Sequence, residues 1–144
     1  PYTSVEHGFV ISFPGFPEKD QQTIQGNGYS LPYTTYATET SDGKKVQLVG
    51  VYDFTGIEID ETGALEGAVN GAVQNSEGAT LLNSYFSQFL GLKSIYAHYT
   101  TTIDGETYDG YIRAFIKGTK MYAVFTVGED ISGFDSFVNS FNFK

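Results

Sequence analysis

The sequence predicts an α+β domain, an antiparallel sheet with helices packed on its faces. Three observations carry this. Alternating apolar segments follow one another on short turns, two stretches switch to the helical period, and no repeat, low-complexity tract or linker divides the chain. The 144 residues make one domain by length, 1–144, long enough to bury a real core.

His7–Phe13 sets Phe9, Ile11 and Phe13 against Gly8, Val10 and Ser12, a strand that Pro14-Gly15-Phe16-Pro17 ends. From Gln25 to Tyr36, Tyr29, Leu31, Tyr33 and Thr35 alternate around Pro32, which predicts an edge strand or a bulge; Gly26-Asn27-Gly28 reads as a loop or bulge. Ser41-Asp42-Gly43-Lys44 predicts a turn into strand Val46–Tyr52, apolar on both faces toward its end and so expected near the middle of the sheet. Thr62–Glu77 is the clearest helix, its polar row (Thr62, Glu66, Asn70, Gln74) opposite an alanine row. Gly63, Gly67 and Gly71 each cost that helix about 1 kcal/mol relative to alanine. Close approach of the backbone to the sheet or a loop would explain them; a Gly-x-x-x-Gly helix pair is the alternative, although that motif belongs to lipid and this segment is polar.

Leu81–Leu92 fits both a period of two and a helical stripe; its aromatics and serines, and its lack of Ala, Glu and Lys, favour a strand. Ile95–Ile103, the Asp104-Gly105 turn, Thr107–Lys117, a Gly118-Thr119 link of the type II′ kind and Lys120–Val127 then continue an antiparallel meander. A final helix within Ser132–Phe143 places Phe134, Phe137, Val138 and Phe141 on one face, with Ser132 and Asp135 at capping-box spacing. The block from Gly105 to Phe143 is thus expected to organise the chain.

Seventeen carboxylates against eight Lys and Arg give a formal charge of −9, which argues against nucleic acid or an anionic membrane surface as partner. The absence of cysteine excludes thiol nucleophiles, thiolate metal sites and disulfides. No apolar run reaches the roughly 18 residues of a membrane-spanning helix. The chain opens at Pro1, so an upstream segment is expected to have been removed. No Trp and one Met beside eleven Tyr suit an exported bacterial protein.

The order of motifs resembles PsbP-like domains. It comprises a strand ending in Phe13-Pro14-Gly15-x-Pro17, an Ala/Gly-rich helix after the third strand, and the Asp104-Gly105 turn. Tyr111-x-Arg113-x-Phe115, Gly118-Thr119-Lys120-Met121-Tyr122 and Phe134-x-x-Phe137-x-x-Ser140-Phe141 complete it. The family is named for an extrinsic photosystem subunit and includes many bacterial envelope lipoproteins. Gly91-Leu92-Lys93-Ser94 departs from it, since such domains often carry Pro-Gly there. The resemblance implies an α/β/α sandwich with a central antiparallel sheet of about six to seven strands and two main helices. It also implies a non-enzymatic binding or assembly role outside the cytoplasm, as the soluble part of a lipoprotein, and it supplies no catalytic residues.

Candidate chemistry in the residues themselves is sparse. No Gly-x-Ser-x-Gly, His-Glu-x-x-His or Walker loop occurs. Arg113, the only arginine, shares a strand face with Tyr111 and Phe115; it is expected to pair with a carboxylate such as Asp109 or to stack on a ring, and with Tyr111 forms a candidate ligand anchor. His7 and His98 would bind a transition metal only if they met beside a carboxylate. Asp53, Glu58, Asp60 and Glu61 offer hard oxygens to calcium, but Asp60 or Thr62 as helix cap explains them more cheaply. The expectation is therefore a monomer with no cofactor, binding a protein partner or small ligand, with a membrane tether through upstream residues. The alternative is a small-ligand or metal-binding domain using an aromatic groove beside the sheet.

Overall fold

The computed structural model describes residues 1–26, 28–41 and 43–144, with backbone only at Gly26 and Tyr29. The turn expected at Ser41-Asp42-Gly43-Lys44 and the loop or bulge expected at Gly26-Asn27-Gly28 fall on residues 42 and 27, outside the described residues. In chain order the elements are β1 (Tyr2–Ser4), β2 (Phe9–Ile11), β3 (Glu18–Gly26), β4 (Tyr29–Glu39), β5 (Val46–Asp53), α1 (Glu61–Gln74), β6 (Thr80–Phe89), β7 (Leu92–Ile103), β8 (Glu106–Lys117), β9 (Lys120–Val127), α2 (Ile131–Asn139) and β10 (Asn142–Phe143). Seven strands form one antiparallel sheet in the order β3-β4-β5-β9-β8-β7-β6, and β1-β2-β10 form a small second sheet.

Residue parity divides the core in two. From β7, β8 and β9, Ile95, Ala97, Ile112, Ala114, Ile116, Met121 and Ala123 point to one face and meet Leu65, Ala68 and Val69 of α1. Their neighbours Tyr96, Tyr111, Phe115, Tyr122 and Val124 point to the other, where Phe134, Phe137 and Val138 of α2, with Phe9 and Ile11 of β2, cover them. Each face carries one helix, but on the second the cover is shared with the small sheet. The expected sandwich therefore holds for the central sheet and α1, while its other outer layer is composite.

Several expectations need correction. The strand expected at His7–Phe13 is only Phe9–Ile11 and lies in the small sheet, because Gly8 turns the chain at φ 69° and β2 pairs with β1 and β10. Strand β3 carried no apolar signal: it is an exposed edge rich in charge and Gln. Its presence makes β4 an inner strand. Pro32 sits in β4 without a bulge, opposite Thr23 of β3 and one residue beyond the first β4–β5 pair at Tyr33, so at its position β4 has a partner strand on one side only. The ambiguous stretch is strand, and Leu90 (φ 51°) and Gly91 (φ 75°) join it to β7 with both turn residues in the left-handed region, as a type I′ turn requires. The strand expected at Ile95 accordingly begins at Leu92.

Helix α1 starts one residue earlier than expected and stops at Gln74; Asp60 is its cap, accepting from the Gly63 N–H at 3.0 Å. Helix α2 is capped by Asp130 rather than Ser132, with the Asp130 carboxylate accepting from Gly133 at 2.7 Å, and ends at Asn139 before Phe141 turns inward. The glycine row of α1 is not a close-approach surface: a Cβ at Gly67 or Gly71 would meet nothing within 4 Å. Within the sheet, Gly110 in β8 is tight: a Cβ there would stand 2.3 Å from the Tyr99 ring lying over it.

These two sites predict opposite outcomes in urea denaturation. Gly110→Ala should lower stability by about 1–3 kcal/mol, through overpacking against Tyr99. Gly67→Ala should raise it by about 1 kcal/mol, because only backbone entropy changes. Equal and opposite signs to these would contradict the packing described.

Candidate functional site

On the α2 side of β8 the side chains run Tyr111, Arg113, Phe115. Tyr111 stacks on Phe134 (5.4 Å between centroids) and Phe115 meets Phe141 edge-on (5.0 Å), so both are sealed under the α2 region. Arg113 between them is half-buried, and its side chain runs across the sheet toward the β6 edge. Its Nη1 donates to Ser87 Oγ at 2.9 Å and Ser94 Oγ at 2.8 Å. Its guanidinium carbon lies 5.7 Å from the ring centroids of both Phe89 and Tyr96. Tyr85 extends this shelf outward, stacked on Tyr96 at 5.0 Å and half exposed. Each ring contact of this kind contributes roughly 0.5–2 kcal/mol, more as water is excluded.

The Arg113 charge has no carboxylate at ion-pair distance among the described residues. Of the two partners expected for it, the ring is observed and Asp109 is not. Asp109 instead meets His98, with Nε2 to Oδ1 at 2.8 Å, and the His98 ring stacks on Tyr111 at 4.4 Å. Two serine hydroxyls use part of the guanidinium, and its remaining N–H groups have no protein partner among the described residues. That leaves planar, bidentate donor capacity of the kind that suits a carboxylate. Burial pushes the Tyr96 hydroxyl up to about 12 and raises that of Tyr111, so both rings present phenols.

The metal candidates are dispersed. His7 is 8% exposed; its Nδ1 lies 2.7 Å from the Tyr36 hydroxyl, which is 2.9 Å from Ser4 Oγ, and its carbonyl accepts from Tyr122 at 2.7 Å. This chain ties the small sheet to β4 and β9, and Ser4 and Tyr36 are too buried for it to reach a substrate. Asp53 accepts from the Thr55 backbone and hydroxyl, which holds its carboxyl below the usual range. Asp60 caps α1. Among the described residues no three His, Cys, Asp or Glu are grouped to hold a metal.

Of the two residues singled out as a ligand anchor, Arg113 lies on the shelf while Tyr111 is sealed beneath Phe134. Sequence reasoning missed Tyr85, Ser87, Phe89, Ser94 and Tyr96, whose only signal is a strand register that one chain does not announce. It also missed a cleft of about 640 Å³ lined by Pro14, Phe16, Thr38, Lys45, Gln47 and Glu129 among others, with Phe16 its one aromatic. Thr38, Gln47 and Thr126 stand abreast on β4, β5 and β9, and each has a buried oxygen without a hydrogen-bond partner.

Over 99% of its length the chain superposes on the solution structure of cyanobacterial PsbP (CyanoP) from Synechocystis sp. PCC 6803, with a TM-score of 0.64 and 13% sequence identity, covering 91% of that chain. The fold is PsbP-like. No family model matches the sequence, and no curated protein does. The PsbP-like fold agrees with the motif order from Phe13 to Phe141, and the turn that enters Gly91-Leu92-Lys93-Ser94 is the type I′ turn at Leu90-Gly91.

The His7 contacts predict a pH dependence. Burial, with Lys120 and Lys19 nearby, lowers the imidazole from its ordinary value of 6.5, against the opposing pull of Glu6. A depressed folded value means the unfolded chain binds the proton more readily, so this stability is present above 6.5 and is lost as pH falls through the folded value. Thermal midpoints should drop between about pH 7.5 and about pH 5.5, and drop less in His7→Gln. Equal drops in both proteins would show that His7 is not the titrating group.

Proposed function

We propose that this chain is a non-enzymatic binding or assembly module of the cell envelope, the soluble part of a lipoprotein whose anchor lies upstream. It engages a protein partner at the Arg113 shelf. The observation that carries this reading is the half-buried guanidinium framed by Phe89, Tyr96 and Ser87, with no carboxylate of its own among the described residues. The group that fits is a carboxylate on the partner, an acidic side chain or a chain terminus, approaching along Tyr85. An acidic protein repels such a group at long range, so contact at the shelf sets specificity more than capture rate. The PsbP-like fold and the absence of any helix long and apolar enough to cross a membrane, among the described residues, support a tethered rather than helix-spanning domain.

A second reading has its own observation. The cleft beside Thr38 and Gln47 is of small-molecule size, and the unpartnered oxygens beneath it would accept or donate hydrogen bonds to a small polar ligand. It takes second place because those oxygens are buried beneath the cleft, whereas the shelf is open.

A photoreactive amino acid at Asn83, exposed and beside His98, tests the first reading in the producing cell. It should yield a discrete adduct that Arg113→Lys abolishes without changing the thermal midpoint, because lysine keeps the charge but loses the fork. An adduct to a protein other than a second copy of this chain that survives Arg113→Lys, or no such adduct at all, would overturn it.

A further inference from the structure

The seven-stranded sheet has two open edges of contrasting character. Edge β3 opens with Glu18, Lys19 and Asp20, all exposed, the charge that commonly prevents another strand from adding. Edge β6 has no such protection. Its ten residues contain no charge and no proline, and the uncharged run extends from residue 78 to residue 92. Leu82 is 54% exposed, Tyr85 and Leu90 are 48%, and Leu81 and Phe86 are little less. A bulge between Leu81 and Asn83 breaks the register at one end only, leaving Asn83–Phe89 regularly extended.

We propose that two copies of this chain associate by pairing β6 with β6 in antiparallel fashion, joining their sheets into one. Charge selects a second copy as the occupant. With 17 carboxylates against eight Lys and Arg, two copies repel over most of their surfaces, and β6 is where they meet without like charges opposed. The ends are complementary as well. Glu77 precedes β6 by three residues, while Lys93 stands at its far end, paired opposite Gln88. A twofold antiparallel pairing brings Glu77 of each copy toward Lys93 of the other; a parallel one would set like beside like. Opposed residues of an antiparallel ladder share a face, so the α2 sides of both copies lie on the same side and their two Arg113 shelves face the same way. The proposed dimer departs from the monomer expected from sequence, and it rests on the edge alone, independently of the shelf reading.

The chain has no cysteine, so single cysteines report the contact cleanly. Sedimentation velocity across the micromolar range should show a reversible dimer for the wild-type chain. Ser84→Lys, which sets like charges near the twofold axis, should sediment as a monomer with an unchanged circular dichroism spectrum. Under mild oxidation Ser84→Cys should form a disulfide-linked dimer and Gln22→Cys, on the opposite edge, should not. Arg113→Lys should leave the dimer intact, so the two proposals fail separately. A wild-type monomer throughout, or equal cross-linking at Gln22→Cys and Ser84→Cys, would overturn the proposal.

Discussion

Strand β8 is buried on both faces, and most of the molecule follows from that constraint. Its even residues from Gly110 to Ile116 must suit α1, and its odd residues must suit α2 with the small sheet. The two faces meet this differently. Toward α1 the strands offer Gly110, Ala97, Ala114 and Ala123 among isoleucines, a low surface on which a helix and the Tyr99 ring can lie close. Toward α2 they offer rings, and the cover is correspondingly aromatic: Phe9, Phe134, Phe137 and Phe141. One face packs by proximity and the other by volume.

Arg113 is the exception this pattern must accommodate. A charge at an odd position of β8 faces rings on a partly dry surface, where an unsatisfied guanidinium would cost several kcal/mol. Ser87 and Ser94 supply the hydrogen bonds, Phe89 and Tyr96 the ring faces, and the side chain reaches past β7 to the border of the sheet. A leucine there would be simpler to bury. Keeping the arginine places an accessible donor fork at the edge of the seven-stranded sheet whose strand carries no acidic side chain. The shelf and the neutral β6 edge are thus two properties of the same border.

The sequence made the Gly105–Phe143 block legible because each of its signals is local: Asp104-Gly105 and Gly118-Thr119 turns, period-two runs, and four apolar residues at helical spacing. It hid whatever depends on pairing between distant segments. Strand β3 is polar because an exposed edge has no face to bury, so alternation could not reveal it. Pro32 implied an edge, and only the staggered ends of β3 and β5 explain how an inner strand carries it. Asp109 looked like the partner of Arg113 because it shares the strand, while it stands opposite Thr100 and reaches diagonally to His98. Asp130 outcompeted Ser132 as cap because its carboxylate reaches the Gly133 N–H, and the spacing rule fits either residue.

Native-state hydrogen exchange tests the two-faced strand most directly. The account requires that β8 amides from Tyr111 to Ile116 exchange only through global unfolding, together with those of β9 and with the α1 amides at Leu65–Val69, since one strand anchors both cores. If the α2 half opened alone, exposing β8 amides at a free energy well below that of α1, the two faces would be separate units and β8 would not be what joins them.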